Sequence, residues 1–423
     1  MNVLIIGLNY APEPVGIGPY TTGMAEALAR VGHAVTVICG KAYYPRWQLH
    51  EGHRAAGVLR SVENGVTVVR VPHYIPAQPS GVKRLLHYLT FTLRTLPSAW
   101  RAARARRPDV IVCIAPSLMS VVAARLVAWR TGARLWLHVQ DFEVEAAFAT
   151  GLLRDGGTVA RLARAFEQWS YGVSRVSSIS PQMCARLVAA GVAPDRVVEF
   201  RNWADIDTIQ PLTGPSAYRA EFGIKTPYVS LYSGNIGNKQ GIEILIDVAR
   251  LLAHRRDLTF VIAGEGALLA QLVAAAQGLG NVRFEPLQPR ERLTELLGLA
   301  TVHLLPQMAG AADLMLPSKL TNMLASGRPV VATAGAGTGL AQECDGCGVV
   351  TEPGDAPAMA AAIESLLVDP AARARYGAAA RQRAELRWSR VAILDRFERA
   401  LRACVAEERQ KQNDLEPGMI AGK

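Results

Sequence analysis

At 423 residues the chain is long enough for two α/β domains of roughly 100–200 residues each. Half of it is apolar and 19% is charged, which excludes a disordered chain, and no apolar run approaches the roughly 20 residues of a membrane-spanning helix. The net charge of +10 is unevenly carried: residues 1–205 hold 23 Lys/Arg against 13 Asp/Glu, and the remainder hold 23 of each.

In chain order, the opening Met1–Pro14 lacks a basic leader region and reads as a first strand, Val3–Leu8. No signal peptide is therefore expected, and the expected compartment is the cytoplasm. Further strands are predicted at Val35–Cys39, Val66–Val71, Val110–Ile114, Arg134–His138, Val176–Ile179 and Val197–Phe200. Helices fall at Tyr20–Val31, Val82–Arg106, Leu118–Thr131, Thr158–Tyr171 and Pro181–Ala190. Near-continuous apolar strands separated by helices predict a parallel sheet covered on both faces.

Gly16-Ile17-Gly18 feeds the first helix, but the dinucleotide fingerprint is missing. That fingerprint needs G-x-G-x-x-G directly after strand one and an acid about 20 residues further on. Here Gly7 is followed by Leu8-Asn9-Tyr10, Thr21 stands three residues after Gly18, and the second strand ends in Cys39-Gly40-Lys41. What remains is either a plain turn or a glycine loop that lets backbone approach a ligand.

Gly65 to Pro108 contains no acid, yet carries Lys83, Arg84, Arg94, Arg101, Arg104, Arg106 and Arg107 among Leu85, Leu86, Leu89, Phe91, Leu93, Leu96 and Trp100. Two readings stand. A basic helix with an apolar face suits an anionic membrane surface, or the apolar face lies in the domain core and the basic face in water. No helix-turn-helix, zinc-finger or RNA-binding signature accompanies the charge, so nucleic acid is not an expected partner.

Asn202–Pro227, with Pro211, Gly214 and Pro215, reads as a linker. Strands then resume at Tyr228–Ser233, Leu258–Ala263, Val282–Phe284, Val302–Leu305 and Pro329–Ala332. Helices at Gly241–His254, Leu268–Leu279, Arg290–Leu299, Lys319–Ser326, Pro370–Leu386 and Arg390–Glu408 complete the pattern. The expected organisation is one domain over 1–205 and a second over 206–387. Residues 388–408 are expected to pack back on the first domain, with a disordered tail at 409–423.

The second half offers the better phosphate site. Ser233-Gly234-Asn235-Ile236-Gly237-Asn238-Lys239-Gln240-Gly241 follows a strand and opens a helix. Glycines let amides face an anion, the helix start adds positive potential and Lys239 adds a full charge. Leu316-Pro317-Ser318-Lys319 repeats this logic, with Ser318 at the N-cap and Lys319 in the first turn. A lysine there opposes the helix dipole, which a nearby anion would explain. Cys344-Asp345-Gly346-Cys347 lacks a second pair and sits in a glycine-rich loop, so it is read as incidental. His33, His254 and His303 are read as structural, and no metal-ligand cluster is expected.

With these segments in place the chain resembles the retaining GT-B glycosyltransferases of family 4 over essentially its whole length. The resemblance is carried by Gly16–Gly18, by Arg201-Asn202-Trp203-Ala204-Asp205, by Gly234–Gly241 and by Ile262-Ala263-Gly264-Glu265-Gly266. It continues in Asn322–Val331 and Gly337-Thr338-Gly339-Leu340-Ala341-Gln342-Glu343. His138-Val139-Gln140-Asp141-Phe142-Glu143 and Pro317-Ser318-Lys319-Leu320 look most like the enzymes of bacterial exopolysaccharide assembly, especially colanic-acid-type fucosyltransferases.

The resemblance implies two doubly wound Rossmann-like domains facing across a cleft, the first (1–205) on the acceptor side and the second (206–387) binding the nucleotide sugar. It implies a nucleotide-sugar donor, GDP- or UDP-linked, as substrate with no further cofactor, and a lipid-linked saccharide acceptor at the inner membrane face. By position, Lys239 would bind the diphosphate, with Asn235 where many relatives have arginine. Gly18 would close on the donor phosphate, Glu343 would lie near the donor pocket, and Asp141 would face sugar and acceptor, with His138 the nearby alternative. Gly16, Gly264, Glu265, Ser318 and Lys319 complete the implied donor set. One departure stands out: the glutamate that holds the ribose in the family is Asn322 here, and Leu314 stands eight residues earlier, with Asp313 adjacent. Asparagine still accepts a hydroxyl, but as a neutral and weaker partner. Two rivals from other classes are a GT-B-fold sugar-nucleotide epimerase and a non-catalytic partner of a polysaccharide assembly complex.

Overall fold

The computed structural model describes the chain except residues 15, 54–55, 79, 150–156, 204–205, 207, 238–239, 309–317 and 416–423. It divides into two compact units, Met1–Arg201 with Leu394–Lys423, and Asn202–Ile393.

The first unit runs β1 (Asn2–Gly7), α1 (Gly18–Arg30), β2 (Ala34–Gly40), β3 (Leu59–Glu63), β4 (Val66–Val71), α2 (Gly81–Ala105) and β5 (Val110–Ala115). It continues with α3 (Ser120–Thr131), β6 (Arg134–Val139), α4 (Glu143–Ala149), α5 (Thr158–Tyr171), β7 (Arg175–Ser178), α6 (Pro181–Ala189) and β8 (Val197–Glu199). These strands form an eight-stranded sheet in the order β3-β4-β2-β1-β5-β6-β7-β8. Every pairing is parallel except β3 with β4.

The central strands are apolar on both faces, as β5 shows by burying every residue from Val110 to Ala115, because helices cover the sheet on both sides. The antiparallel β3 is not among the strands expected from sequence. Its turn, Asn64-Gly65, has positive φ at both residues (48° and 82°), the geometry favoured for a two-residue hairpin. The signal is therefore present, but β3 is an edge strand with Arg60 and Val62 exposed, so it carries no continuous apolar run.

The second unit runs α7 (Tyr218–Glu221), β9 (Tyr228–Ser233), α8 (Ile244–Leu251), β10 (Leu258–Ala263), α9 (Leu269–Ala275), β11 (Val282–Glu285), α10 (Leu293–Gly298) and β12 (Val302–Leu305). It continues with α11 (Ser318–Ala325), β13 (Val330–Thr333), α12 (Gly339–Cys344), β14 (Gly348–Thr351), α13 (Ala356–Val368) and α14 (Pro370–Trp388). Its six-stranded, wholly parallel sheet has the order β11-β10-β9-β12-β13-β14. The short edge strand β14 is likewise absent from the sequence expectation. Gly348 permits it, since a Cβ there would lie 1.8 Å from the Val330 carbonyl oxygen.

The last helix, α15 (Arg390–Leu415), belongs to the first unit from Leu394 onward. Leu394, Phe397, Leu401, Cys404 and Val405 are buried at helical spacing. Phe397 stacks on Phe200 at 4.0 Å and meets Trp136 edge-on at 5.3 Å. His33 Nε2 lies 2.8 Å from Glu398 and Arg175 2.6 Å from Glu407, which pins the helix on the sheet. The helix extends to Leu415, past its predicted end at Glu408 and into the stretch expected to be disordered. No glycine or proline interrupts the sequence before Pro417. Among the described residues no helix is long and apolar enough to cross a membrane.

Candidate donor-phosphate site

In the second unit the strand order reverses between β9 and β12. At such a switch point the loops leaving neighbouring strands diverge and open a crevice beyond their carboxyl ends. The loop after β9 carries Gly234–Gln240, and α11 follows β12.

Two glycine crossings shape this crevice. A Cβ on Gly264 would lie 1.9 Å from the Gly234 carbonyl oxygen, and one on Gly266 2.1 Å from that of Ile236. The loop after β10 therefore runs in backbone contact with the loop after β9, and the two are laced by Gly234 N to Ala263 O at 2.9 Å and Ile236 N to Glu265 O at 2.8 Å. Gly234 itself has φ of 134°, and the open side where its Cβ would stand faces the Lys319 ammonium, 3.6 Å from that position.

Lys319, in the first turn of α11, donates to the Tyr232 hydroxyl at 2.7 Å and sits 4.3 Å from that ring's centroid. Tyr232 in turn donates to the Asn235 carbonyl at 2.6 Å. One phenol thus fixes both the lysine and the loop. Burial, with no compensating carboxylate among the described residues, pushes the Lys319 pKa down to about 8. Among the described residues no carboxylate meets this half-buried ammonium, and its place beside a glycine loop suits a bound anion. Sequence reasoning misses Tyr232, because a tyrosine inside an apolar strand reads as core.

Of the other expected donor contacts, Asn235 and Glu265 are exposed and Asn322 is half-buried one helical turn after Lys319. Ser318 is the first residue of α11, and Lys239 lies outside the described residues, as do Asp313 and Leu314. The regular helix after the glycine loop begins at Ile244, later than the predicted Gly241. Its amide dipole therefore starts beyond the loop.

Glu343 is buried against α14: its carboxylate accepts from Arg387 at 3.1 Å, and its carbonyl accepts from Arg383 at 2.8 Å. These contacts give it an anchoring place in the unit. Cys344 and Cys347 are both buried with free thiols. Among the described residues no group of three or more His, Cys, Asp or Glu could hold a metal ion. A cavity of about 540 Å³ opens at the opposite, amino-terminal end of the same sheet, beside Tyr228, Thr301 and Pro329. It is remote from the crevice.

In the first unit His138 lies within β6, 1% exposed, with Nδ1 2.9 Å from the Ser177 hydroxyl and its ring against Phe200. Burial pushes its pKa down to about 3, so it is a neutral histidine enclosed in the packed interior. Asp141 is exposed in the bend that follows β6. Glu143 accepts from Leu118 N at 2.6 Å. Desolvation carries its pKa up to about 8 against the lowering by the Leu118 and Ser117 amides, so it is mostly protonated at neutral pH.

Gly16 has φ of 74°, and Gly18 opens α1. A Cβ on Gly18 would stand 3.1 Å from that of Glu13. Glu13, buried and missed by sequence reasoning, accepts from Tyr43 N (2.9 Å), Tyr44 N (3.1 Å) and the Asn9 amide (2.8 Å). Desolvation raises its pKa above the usual carboxylate value. This carboxylate holds the glycine loop against the end of β2.

Two Rossmann-like units, one with a lysine facing a glycine loop at its switch point, have the architecture of the GT-B fold. Comparison with known proteins agrees. Residues 15–203 match the family described as glycosyl transferase 4-like domain, and residues 216–383 match glycosyl transferases group 1. The chain is 40% identical over 408 residues to WcaI of Escherichia coli K12, provisionally named a colanic acid biosynthesis glycosyl transferase, covering 94% of this chain and 98% of that protein. Among solved structures, sucrose-phosphate synthase of Thermosynechococcus elongatus shares the fold at a TM-score of 0.72 and 18% identity, covering 96% of this chain and 100% of that one. HepE of Anabaena in complex with UDP and glucose does so at 0.65 and 17%, covering 95% and 100%. The chain belongs to glycosyltransferase family 4, the retaining GT-B glycosyltransferases, and is a hexosyltransferase.

Proposed function

We propose that this enzyme moves a sugar from a nucleoside-diphosphate sugar to a lipid-linked saccharide at the cytoplasmic face of a membrane, in exopolysaccharide assembly of the colanic-acid kind. The observation that carries the donor half is the Lys319–Tyr232–Asn235 arrangement over Gly234. The name of WcaI supports the pathway, and the UDP and glucose in HepE support a nucleotide-sugar donor.

Breaking the anomeric C–O bond places negative charge on the leaving diphosphate while the sugar passes through an oxocarbenium-like state. Lys319 and the amides of the Gly234–Gly237 loop neutralise that charge. Asp141 orients the acceptor hydroxyl or takes its proton. Asn322 accepts from a ribose hydroxyl. Lys239 adds a second charge to the diphosphate.

The test is a thermal-shift screen against GDP- and UDP-linked sugars, with GDP-fucose first because of the resemblance to fucosyltransferases. Stabilisation by one nucleotide class, followed by acceptor-dependent product, supports the reading. Absence of binding by either nucleotide class, or binding without acceptor-dependent product, would overturn this reading of donor and acceptor.

A further inference from the structure

The basic helix α2 carries two stripes. One, with His87, Phe91, Thr92, Thr95, Ser98 and Ala99, is buried on the sheet. His87 there meets the Tyr43 hydroxyl at 3.0 Å and the Tyr74 carbonyl at 2.5 Å. The other stripe, Val82, Leu86, Leu89 and Leu93, points to solvent, with Leu93 62% exposed. Lys83, Arg84, Arg94 and Arg101 are exposed around it. The helix divides between its two readings: Phe91 is buried in the core with Leu96 and Trp100 half-buried against it, while Leu85, Leu86, Leu89 and Leu93 are exposed.

The apolar surface does not stop at α2. Helix α3 packs beside it on the same core, with Thr92 Oγ1 of α2 3.4 Å from Ser120 Oγ of α3. Its outward side presents Val122, Leu126 and Trp129, the last 82% exposed, next to exposed Arg130. Helix α5 follows, tied to α3 by Arg125, which donates to the carbonyls of Trp169 and Gly172 at 2.5 and 2.8 Å. It exposes Val159 and Leu162 (both 66%) beside Arg161 and Arg164. Across these three helices the only acidic residue is Glu167, half-buried.

Monomeric proteins rarely leave a broad apolar surface uncovered. Arginines ringing leucines and a tryptophan match an anionic bilayer in both its parts, headgroup charge and acyl boundary. A nucleic-acid backbone would neutralise the arginines but leave the leucines facing water. We propose that the outer face of α2, α3 and α5 is a docking surface for an anionic lipid bilayer. Its α2 end lies beside Tyr43 and Tyr74, at the carboxyl ends of β2 and β4, the same edge of the sheet that bears Gly16, Gly18 and Asp141. A bilayer seated there brings a lipid-linked hydroxyl to the acceptor-side residues.

The test is sedimentation of the full chain with vesicles of phosphatidylglycerol mixed into phosphatidylcholine, or of phosphatidylcholine alone. It is read without donor or acceptor, so its outcome is independent of the transfer reaction. The chain is expected to bind the anionic vesicles, to ignore the neutral ones, and to release at about 1 M salt, where the Debye length is roughly 3 Å. Arg94→Gln with Arg101→Gln should weaken binding roughly thirtyfold, each basic residue near the surface contributing about fivefold. Leu86→Ser with Leu89→Ser, and Trp129→Ser alone, should each weaken it as well, the latter showing that α3 takes part. Failure to bind anionic vesicles, or binding unchanged in all of these variants, overturns the proposal. So does a dimer of the wild-type chain that the leucine variants disperse while vesicle binding stays intact, since the face would then be an interface between copies.

Discussion

In the proposed mechanism Lys319 is the residue that meets the charge of the leaving diphosphate. Its depressed pKa, about 8, makes two linked pH dependences with opposite signs. The unfolded lysine titrates near 10.5, so between about pH 8 and 10.5 the unfolded state holds more protons than the native state, and the stability of the ligand-free enzyme rises with pH across that window. Donor affinity moves the other way, constant below about pH 7 and falling above about pH 8 as the ammonium is lost. Calorimetric titration of the nucleotide across that range checks the second slope, and Lys319→Ala should abolish it along with most of the affinity. Tyr232→Phe keeps the ring but removes the hydroxyl between Lys319 and Asn235, and should cost about 1–3 kcal/mol of donor binding. Nucleotide binding indifferent to both substitutions would remove the crevice from the mechanism. In the first unit, Asp141→Asn is expected to lower kcat at least about 100-fold at saturating substrates; near-normal turnover would exclude it as the acceptor's base.

At the scale of elements, the crevice exists because two loops touch. Gly264→Ala places a methyl group into the Gly234 carbonyl, and neither backbone has room to retreat without breaking the bonds that lace the loops. A loss of roughly 2–4 kcal/mol is expected in thermal or urea unfolding, with donor binding weakened in parallel. If the Gly264→Ala protein were instead as stable as the parent and bound donor normally, the crossing would be looser than the contact implies. Helix α15 is held differently, by burial. Phe397→Ala removes a ring stacked on Phe200 and edge-on to Trp136, and should cost about 3–5 kcal/mol. That loss should be read in the unfolding of the first unit and leave the nucleotide contacts of second-unit residues such as Lys319 unchanged.

At the scale of the whole molecule, two units with separate cores (one built on Ile6, Phe91 and Ile111, the other on Tyr232, Phe260 and Ile363) predict unfolding in two steps. Tryptophan fluorescence can separate them. Trp47, Trp100, Trp129, Trp136 and Trp169 report on the first unit, Trp203 and Trp388 on the second. A donor nucleotide at about 100 times its Kd should stabilise the second unit by about 2.7 kcal/mol. A ligand that moved only the first transition would put the donor in the other unit.

The chain order of strands and helices, the two-unit plan and the candidate lysine were legible in the sequence, for a physical reason in each case. A parallel strand buried on both faces must be a continuous apolar run, as Val110–Ala115 is. A lysine at a helix start opposes the dipole, so Lys319 stands out before any geometry is known. Short edge strands escape, because β3 and β14 are only partly buried and lack that run. The sequence could equally show that Gly264 and Gly266 were glycines, and that α2 held both leucines and arginines. Only tertiary structure decided the rest. It put Gly264 under the Gly234 carbonyl, and gave Lys319 a phenol across 87 residues of chain. It enclosed His138 against Ser177, which a polar residue in an apolar strand cannot announce. It also turned Leu85, Leu86, Leu89 and Leu93 of α2 outward, because the sheet beneath took the His87–Phe91–Thr95 stripe instead. Periodicity says which residues share a face; only the neighbouring elements determine which face is covered.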